Sequence, residues 1–137
     1  MKKVAVRIAF DDSFAHKIEA GADIFLMPSR YEPCGLNQLY SMQYGTIPVV
    51  RATGGLKDSV REFDPPTGSG TGFVFDLYQG PAFMDALSRA LSTFRRPKRW
   101  RRLMRNAMTA DYSWTQSAAR YRTLYENLVQ FGRVERS

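Results

Sequence analysis

The chemistry-bearing residues of this 137-residue chain concentrate in Pro28-Ser29-Arg30-Tyr31-Glu32-Pro33-Cys34-Gly35-Leu36-Asn37. An acid, a guanidinium, a thiol and a glycine lie there between an apolar run and a helical pattern. Glu32 falls just past the run Asp23-Ile24-Phe25-Leu26-Met27. A carboxylate at such a point accepts hydrogen bonds from sugar hydroxyls and stabilises positive charge growing at an anomeric carbon. Pro33 stiffens the turn, and Gly35 lets backbone approach a ligand closely. The amides of Gly35, Leu36 and Asn37 fall where a helix begins, and the free N–H groups of a helix start, with its dipole, form an anion site. A second strand-to-helix turn, Thr53-Gly54-Gly55, repeats the arrangement. Two such openings on one crevice suit a diphosphate and the sugar attached to it. Each feature also has a plainer reading. Glu32 is then an exposed loop acid and Gly54-Gly55 a tight turn, and neither turn carries a GxGxxG fingerprint.

Other candidates are weaker. No second carboxylate lies within the Glu32 motif, so two-acid glycoside hydrolysis lacks a partner. A nucleophilic Cys34 would need a base, and His16 is the only histidine. Nothing in the sequence brings the two together, which favours a packing or ligand-edge role for Cys34 and a helix-surface role for His16. A single cysteine excludes an intrachain disulfide framework and points to a reducing compartment. One His and one Cys do not make a zinc site, and neither a metal nor a cofactor is expected.

The elements that must position these residues alternate. Val4, Val6, Ile8 and Phe10 recur at period two and predict a strand, too short and alternating for a secretory signal. Ser13–Ala20 reads as a helix capped by Asp11, Asp12 or Ser13. The run Asp23–Met27, stopped by Pro28, suits a strand buried on both faces. Gly35–Tyr44 is helical, with Gly45 as its stop. Ile47-Pro48-Val49-Val50 is a third strand, with Pro48 where no ladder donor is required. Leu56, Val60 and Phe63 mark a further helix, residues 64–70 a loop, and Gly72–Phe75 a fourth strand. Three amphipathic helices close the chain, striped by Phe83, Leu87 and Leu91, by Trp100, Leu103 and Ala107, and by Trp114, Tyr121 and Tyr125. The last opens on a Ser113-x-x-Gln116 capping box. This order predicts an α/β fold, a Rossmann-like parallel sheet of about four strands flanked by helices with a helical C-terminal segment. Residues 1–137 form one partial domain, with an α/β part over 1–80 and helices over 81–137. Ligands then bind outside the carboxyl ends of the strands.

Composition bounds the rest. An apolar fraction of 44% places the chain among folded proteins rather than disordered tails. No apolar run approaches the roughly 18 residues of a membrane span. The net charge of +7 is local, since Arg89, Arg95, Arg96, Lys98, Arg99, Arg101, Arg102 and Arg105 follow one another with no acid between. Such a run can attract polyanions. No nucleic-acid-reading motif accompanies it, so a solvated helix face is the preferred reading.

The stretch from Pro28 to Val60, with SRYEPCGLNQLY followed by YGTIPVVRATGGLKDSV, resembles bacterial glycogen synthases and plant starch synthases. Gly72-Phe73-Val74-Phe75 and Asp111-Tyr112-Ser113-Trp114 extend the resemblance to nearly the whole chain, from about Val4 to Leu128. It implies the second half of a GT-B glycosyltransferase, which transfers glucose from ADP-glucose to an α-1,4-glucan with retention and without a metal. It also implies that Glu32 holds the donor glucose, that Cys34, Gly35 and Leu36 line the sugar and phosphate site, and that Phe10 stacks on adenine. Thr53, Gly54 and Gly55 match the distal phosphate and sugar loop, with Ser29 and Arg30 beside the pocket. Asn37 stands where the family often has a small hydroxylated residue near ribose and phosphate. Many GT-B enzymes carry a Glu-x7-Glu pair, but here Tyr40 occupies the second position, as expected for the bacterial glycogen synthase type. The family's first GT-B domain, with its acceptor contacts, has no counterpart in these residues, so the fragment alone is expected to be inactive. A cytoplasmic location follows, or a plastid in a plant or alga. The alternatives are a UDP-sugar-dependent GT-B enzyme and a non-catalytic module that binds glucan or a partner.

Overall fold

The computed structural model describes residues 3–134, so the ends of the expected domain, 1–2 and 135–137, lie outside the described residues. Three strands form one parallel sheet in the order β1 (Ile24–Met27), β2 (Ile47–Arg51), β3 (Phe73–Phe75). Ile24 pairs with Ile47 and Val49 with Phe73. β2 is central, and Ile47, Val49 and Val50 are fully buried. A continuous apolar run is what a strand covered on both faces requires. Pro48 fits because Ile47 N–H donates to Asp23 O on the β1 side. Alternation turns position 48 toward β3, where pairing starts one residue later, at Val49.

The described residues form six helices: α1 (Asp12–Gly21), α2 (Asn37–Tyr44), α3 (Gly54–Ser59), α4 (Gly80–Phe94), α5 (Pro97–Met108) and α6 (Trp114–Val134). Asp11 caps α1, accepting Phe14 N–H at 3.0 Å. Gly45 ends α2 in the left-handed region at φ 82°. Thr46 then joins two elements, its hydroxyl donating to Glu19 O at 2.5 Å and Ala22 O at 2.8 Å. α4 packs on β2 and β3, and α5 packs on α2 and α4. Trp100, Leu103 and Ala107 of α5 and Ala86 and Ala90 of α4 close over Phe73, Phe63 and Met42 in one core. Among the described residues no helix is long and apolar enough to cross a membrane.

Several expectations change. β1 is an edge strand with Leu26 45% exposed, where a strand buried on both faces was expected. Residues 4–10 form no strand; Val4, Val6, Ile8 and Phe10 are all exposed. Alternation records suitability for a ladder, and no described strand lies alongside to supply one. The sheet therefore has three strands where about four were expected. The helix expected through Phe63 ends at Ser59. Val60 is already extended (φ −107°, ψ 125°), and the carbonyl of Arg61 accepts the amides of Thr71 and Gly72. At α6 the turn is held by Asp111, whose carboxylate accepts Ser113 N–H at 2.8 Å, instead of by a Ser113–Gln116 box. That hydrogen bond lowers the Asp111 carboxyl below its ordinary pKa. The α6 stripe finds no cover, for Trp114 is 85% exposed and Tyr121, Tyr125 and Leu128 are exposed as well.

Candidate functional site

Glu32 lies beyond the carboxyl end of β1, half-buried, on a loop that runs into α2. The turn Thr53-Gly54-Gly55 lies beyond the carboxyl end of β2 and runs into α3. The two loops meet backbone to backbone. Gly55 N–H donates to Glu32 O and to Pro33 O, each at 3.2 Å. A Cβ at Gly54 would stand 1.9 Å from Glu32 O, and one at Gly55 would stand 2.1 Å from Cys34 O. Real side chains do not tolerate such distances, so both glycines are demanded by the approach of the neighbouring loop. Gly54 also sits at φ 47°. The amide of Gly55 is thus committed to the protein itself, a use that the tight-turn and ligand-approach readings both missed.

On the Glu32 side, Ser29 Oγ donates to Glu32 Oε2 at 3.5 Å, a long bond that leaves most of the carboxylate's acceptor capacity open. Gly35, at φ 71°, brings its α-carbon against Glu32, with a Cβ there only 3.1 Å from Glu32 Cγ. Leu36, Asn37 and Cys34 are exposed. Leu36 is the α2 N-cap and has no side-chain cap bond, nor does Thr53 at α3. Ser29, Glu32, Cys34, Gly35, Gly54 and Gly55 are therefore gathered at one edge of the sheet, with Thr53, Leu36 and Asn37 on the same two turns. Arg30 is exposed, and its carbonyl is held from below. Phe10 stands fully exposed just before the α1 cap.

Two residues outside the sequence-derived set hold the edge together. Arg51 closes β2, donating through Nη1 to Arg30 O and through Nε to Asp76 O at 3.1 Å, with its guanidinium 5.4 Å from the Tyr78 ring. A charge ending an apolar strand was the available signal. The loops it ties border a cleft of about 270 Å³ lined by Pro28, Phe75, Tyr78, Gln79, Gly80 and Phe83. Gln38, in the first turn of α2, is 1% exposed and bonds the carbonyls of Cys34 and Gly35. Behind α3, the Tyr112 hydroxyl donates to Ser59 O, and burial raises its pKa.

The remaining titratable clusters lie elsewhere. His16 faces Tyr40, Tyr44 and Glu19 between α1 and α2. Burial raises the Glu19 carboxyl above its ordinary pKa, against the opposing pull of His16. Arg89, first of the basic run, is paired with Glu62 at 2.9 Å and with Asp85, and its Nη2 donates to Val74 O at 2.8 Å. It leaves the run for a structural role.

A parallel sheet flanked by helices, with an acid and two helix-opening turns at its carboxyl edge, is a Rossmann-like α/β arrangement with a ligand-type crevice at that edge. The family model for glycosyl transferases group 1 matches residues 11–107, and the chain belongs to that family. The chain is 54% identical over 93% of its length to a glycogen synthase of Koribacter versatilis, covering 26% of that relative. It is 56% identical over 96% of its length to one of Thermotoga maritima, covering 27%. Among solved structures it matches the catalytic domain of starch synthase IV from Arabidopsis thaliana bound to ADP and acarbose. That match has 40% identity and a TM-score of 0.77, and covers 90% of this chain and 26% of the other. The resemblance read from residues 28–60 and the partial GT-B architecture agree with these matches. The chain spans about a quarter of the length of the curated relatives it matches.

Proposed function

We propose that this chain is the donor-binding part of a retaining glucosyltransferase that moves glucose from ADP-glucose to the non-reducing end of an α-1,4-glucan. It acts in the cytoplasm and only within a longer protein. The observation that carries the reading is the junction of the two turns, with Glu32 on one and Gly54-Gly55 on the other. Glu32 orients the donor glucose through its hydroxyls and opposes the positive charge that develops as the glycosidic bond to phosphate breaks. The amides of Leu36 and Asn37 at the start of α2 face the diphosphate, with the Thr53 side chain and Gly54 opposite; the Thr53 N–H itself is held by Arg51 O. Ser29, Arg30, Cys34 and Gly35 border the sugar and phosphate, and Phe10 supplies an aromatic face for adenine. Residues 1–80 carry the donor, and within the helical part, 81–137, α4 and α5 brace it. Transfer requires a second cleft wall to orient the acceptor, so the fragment alone is inactive. The likeness to glycogen synthases and to a starch synthase bound to ADP supports the adenine donor.

The test is a chimera in which this chain replaces the matching segment of the Thermotoga maritima glycogen synthase. ADP-glucose turnover is expected, and Glu32→Gln is expected to lower kcat by about 100-fold or more with an unchanged melting temperature. Preference for UDP-glucose would overturn the donor assignment. A folded but inert chimera would favour the non-catalytic module, and full turnover in Glu32→Gln would remove Glu32 from the chemistry.

A further inference from the structure

We infer that Gln38 and Ser59 are positioning residues that set the spacing of the two donor-site turns through one buried relay of hydrogen bonds; this rests on the function proposed above. Gln38 Nε2 has two protons and three acceptors within reach, Cys34 O at 3.3 Å, Gly35 O at 3.0 Å and Ser59 Oγ at 3.1 Å, so one N–H is shared. Ser59 Oγ in turn donates to Gly55 O at 2.6 Å. The relay therefore starts at two carbonyls of the Glu32 loop and ends at a carbonyl of the Gly54-Gly55 turn. Every backbone oxygen in it accepts, so the protons can run only one way. Reversing the amide would set Oε1 against two carbonyl oxygens, which fixes its orientation.

The geometry around the amide excludes substitutes. Gln38 Oε1 is buried and has no partner, and it faces Gly35, where a Cβ would come within 2.6 Å of it. Gly35 is thus required both by its φ of 71° and by this oxygen. Glutamate at 38 would keep the shape, lose the donor and press a carboxylate on carbonyl oxygens. Methionine would keep the volume and bond nothing. Loss of the donor frees the two turns to part, and Glu32, Leu36 and Asn37 move away from Gly54 with them. Binding of the sugar diphosphate needs both turns at once, whereas a glucan acceptor does not touch the relay. The donor KM is therefore the quantity that should respond.

Two measurements test this. On the 137-residue chain, hydrogen exchange of the Gly55 amide, which bonds Glu32 O and Pro33 O, is compared in the parent, Gln38→Met and Ser59→Ala. In the chimera, kcat and the KM values for ADP-glucose and for glucan are measured for both variants and their combination. Gly55 exchange is expected to rise by about tenfold, as for the loss of one net hydrogen bond. The ADP-glucose KM is expected to rise by about tenfold while the glucan KM stays within about twofold, with the double variant no worse than the worse single one. Ser59→Ala keeps the Gln38 bonds to residues 34 and 35, so it carries the test if Gln38→Met does not fold. Unchanged Gly55 exchange, or equal shifts of both KM values, overturns the inference. A chimera that is inert before any substitution, together with raised Gly55 exchange, overturns the proposed function and leaves the relay standing.

Discussion

Replacing Gly55 by alanine tests the loop junction directly. Its Cβ would lie 2.1 Å from Cys34 O, 2.7 Å from Cys34 C and 2.8 Å from Cys34 Cα, all backbone atoms with no rotamer to yield. Ordinary contact begins at 3.4 Å, so relief requires the turns to part by 3.4 − 2.1, or about 1.3 Å. The Gly55 N–H bonds to Glu32 O and Pro33 O are already 3.2 Å long, and a shift of that size takes them out of range. One shared donor lost costs about 1 kcal/mol and overpacking about 1–3 kcal/mol, or about 2–4 kcal/mol together. For a domain of this size that lowers Tm by about 6–12 °C, at about 3 °C per kcal/mol. Thermal melts followed by circular dichroism measure it. Gly21→Ala is the control, because a Cβ at Gly21 meets nothing within 4 Å; it should melt at or slightly above the parent. A Gly55→Ala chain that melts with the parent would refute the close approach of the two turns.

Two further perturbations probe the frame. Glu19 is buried, its Oε2 accepts no hydrogen bond and lies 3.9 Å from His16 Nδ1, and burial raises its pKa. A raised folded pKa means the full contribution to stability is present below the unfolded value of 4.5 and is lost as pH rises through the folded pKa. Glu19→Gln should therefore raise Tm at pH 7, with the gain vanishing at pH 4; an equal gain at both would refute the buried charge. Truncation after Ser113 removes α6, whose apolar stripe is exposed. It should leave the Tm of the remaining chain within about 2 °C, because a helix without tertiary cover adds little to the stability of the core. A large drop would mean that α6 packs on the sheet.

How much of this was legible in the sequence follows from what sequence patterns encode. β2 was readable because a strand covered on both faces must be apolar throughout, and α5 because Trp100, Leu103 and Ala107 meet the core; β1 is instead an edge strand with Leu26 45% exposed, and α4 buries Ala86, Ala90 and Thr93 while Leu91 of the expected stripe is 42% exposed. Gly45 was readable as a stop because a left-handed residue is local. The Val4–Phe10 segment misled because alternation cannot say whether a neighbour exists. The site's acid and its two glycine turns were legible as types and positions. That Gly54 and Gly55 face Glu32 O and Cys34 O was not, since a glycine looks the same whether a ligand or a backbone approaches it. Gln38 escaped because a polar residue inside a helical pattern is ordinarily assigned to solvent, and Arg89 because its partner Glu62 lies far back along the chain. Arg51 was legible as a cation at the end of an apolar strand.

The strand order has a consequence for how this chain acquires its shape. Each strand pairs with the next one in the sequence, and the offsets are nearly equal: 47 − 24 = 23 residues between β1 and β2 and 73 − 49 = 24 between β2 and β3. Among the described residues every crossover therefore closes a loop of similar, modest length. During synthesis the sheet can grow in the direction of translation, one strand per helical crossover, with α4 and α5 sealing it as they emerge. α5 is the last element to add residues to that core, so the core is complete only once Trp100, Leu103 and Ala107 are in place.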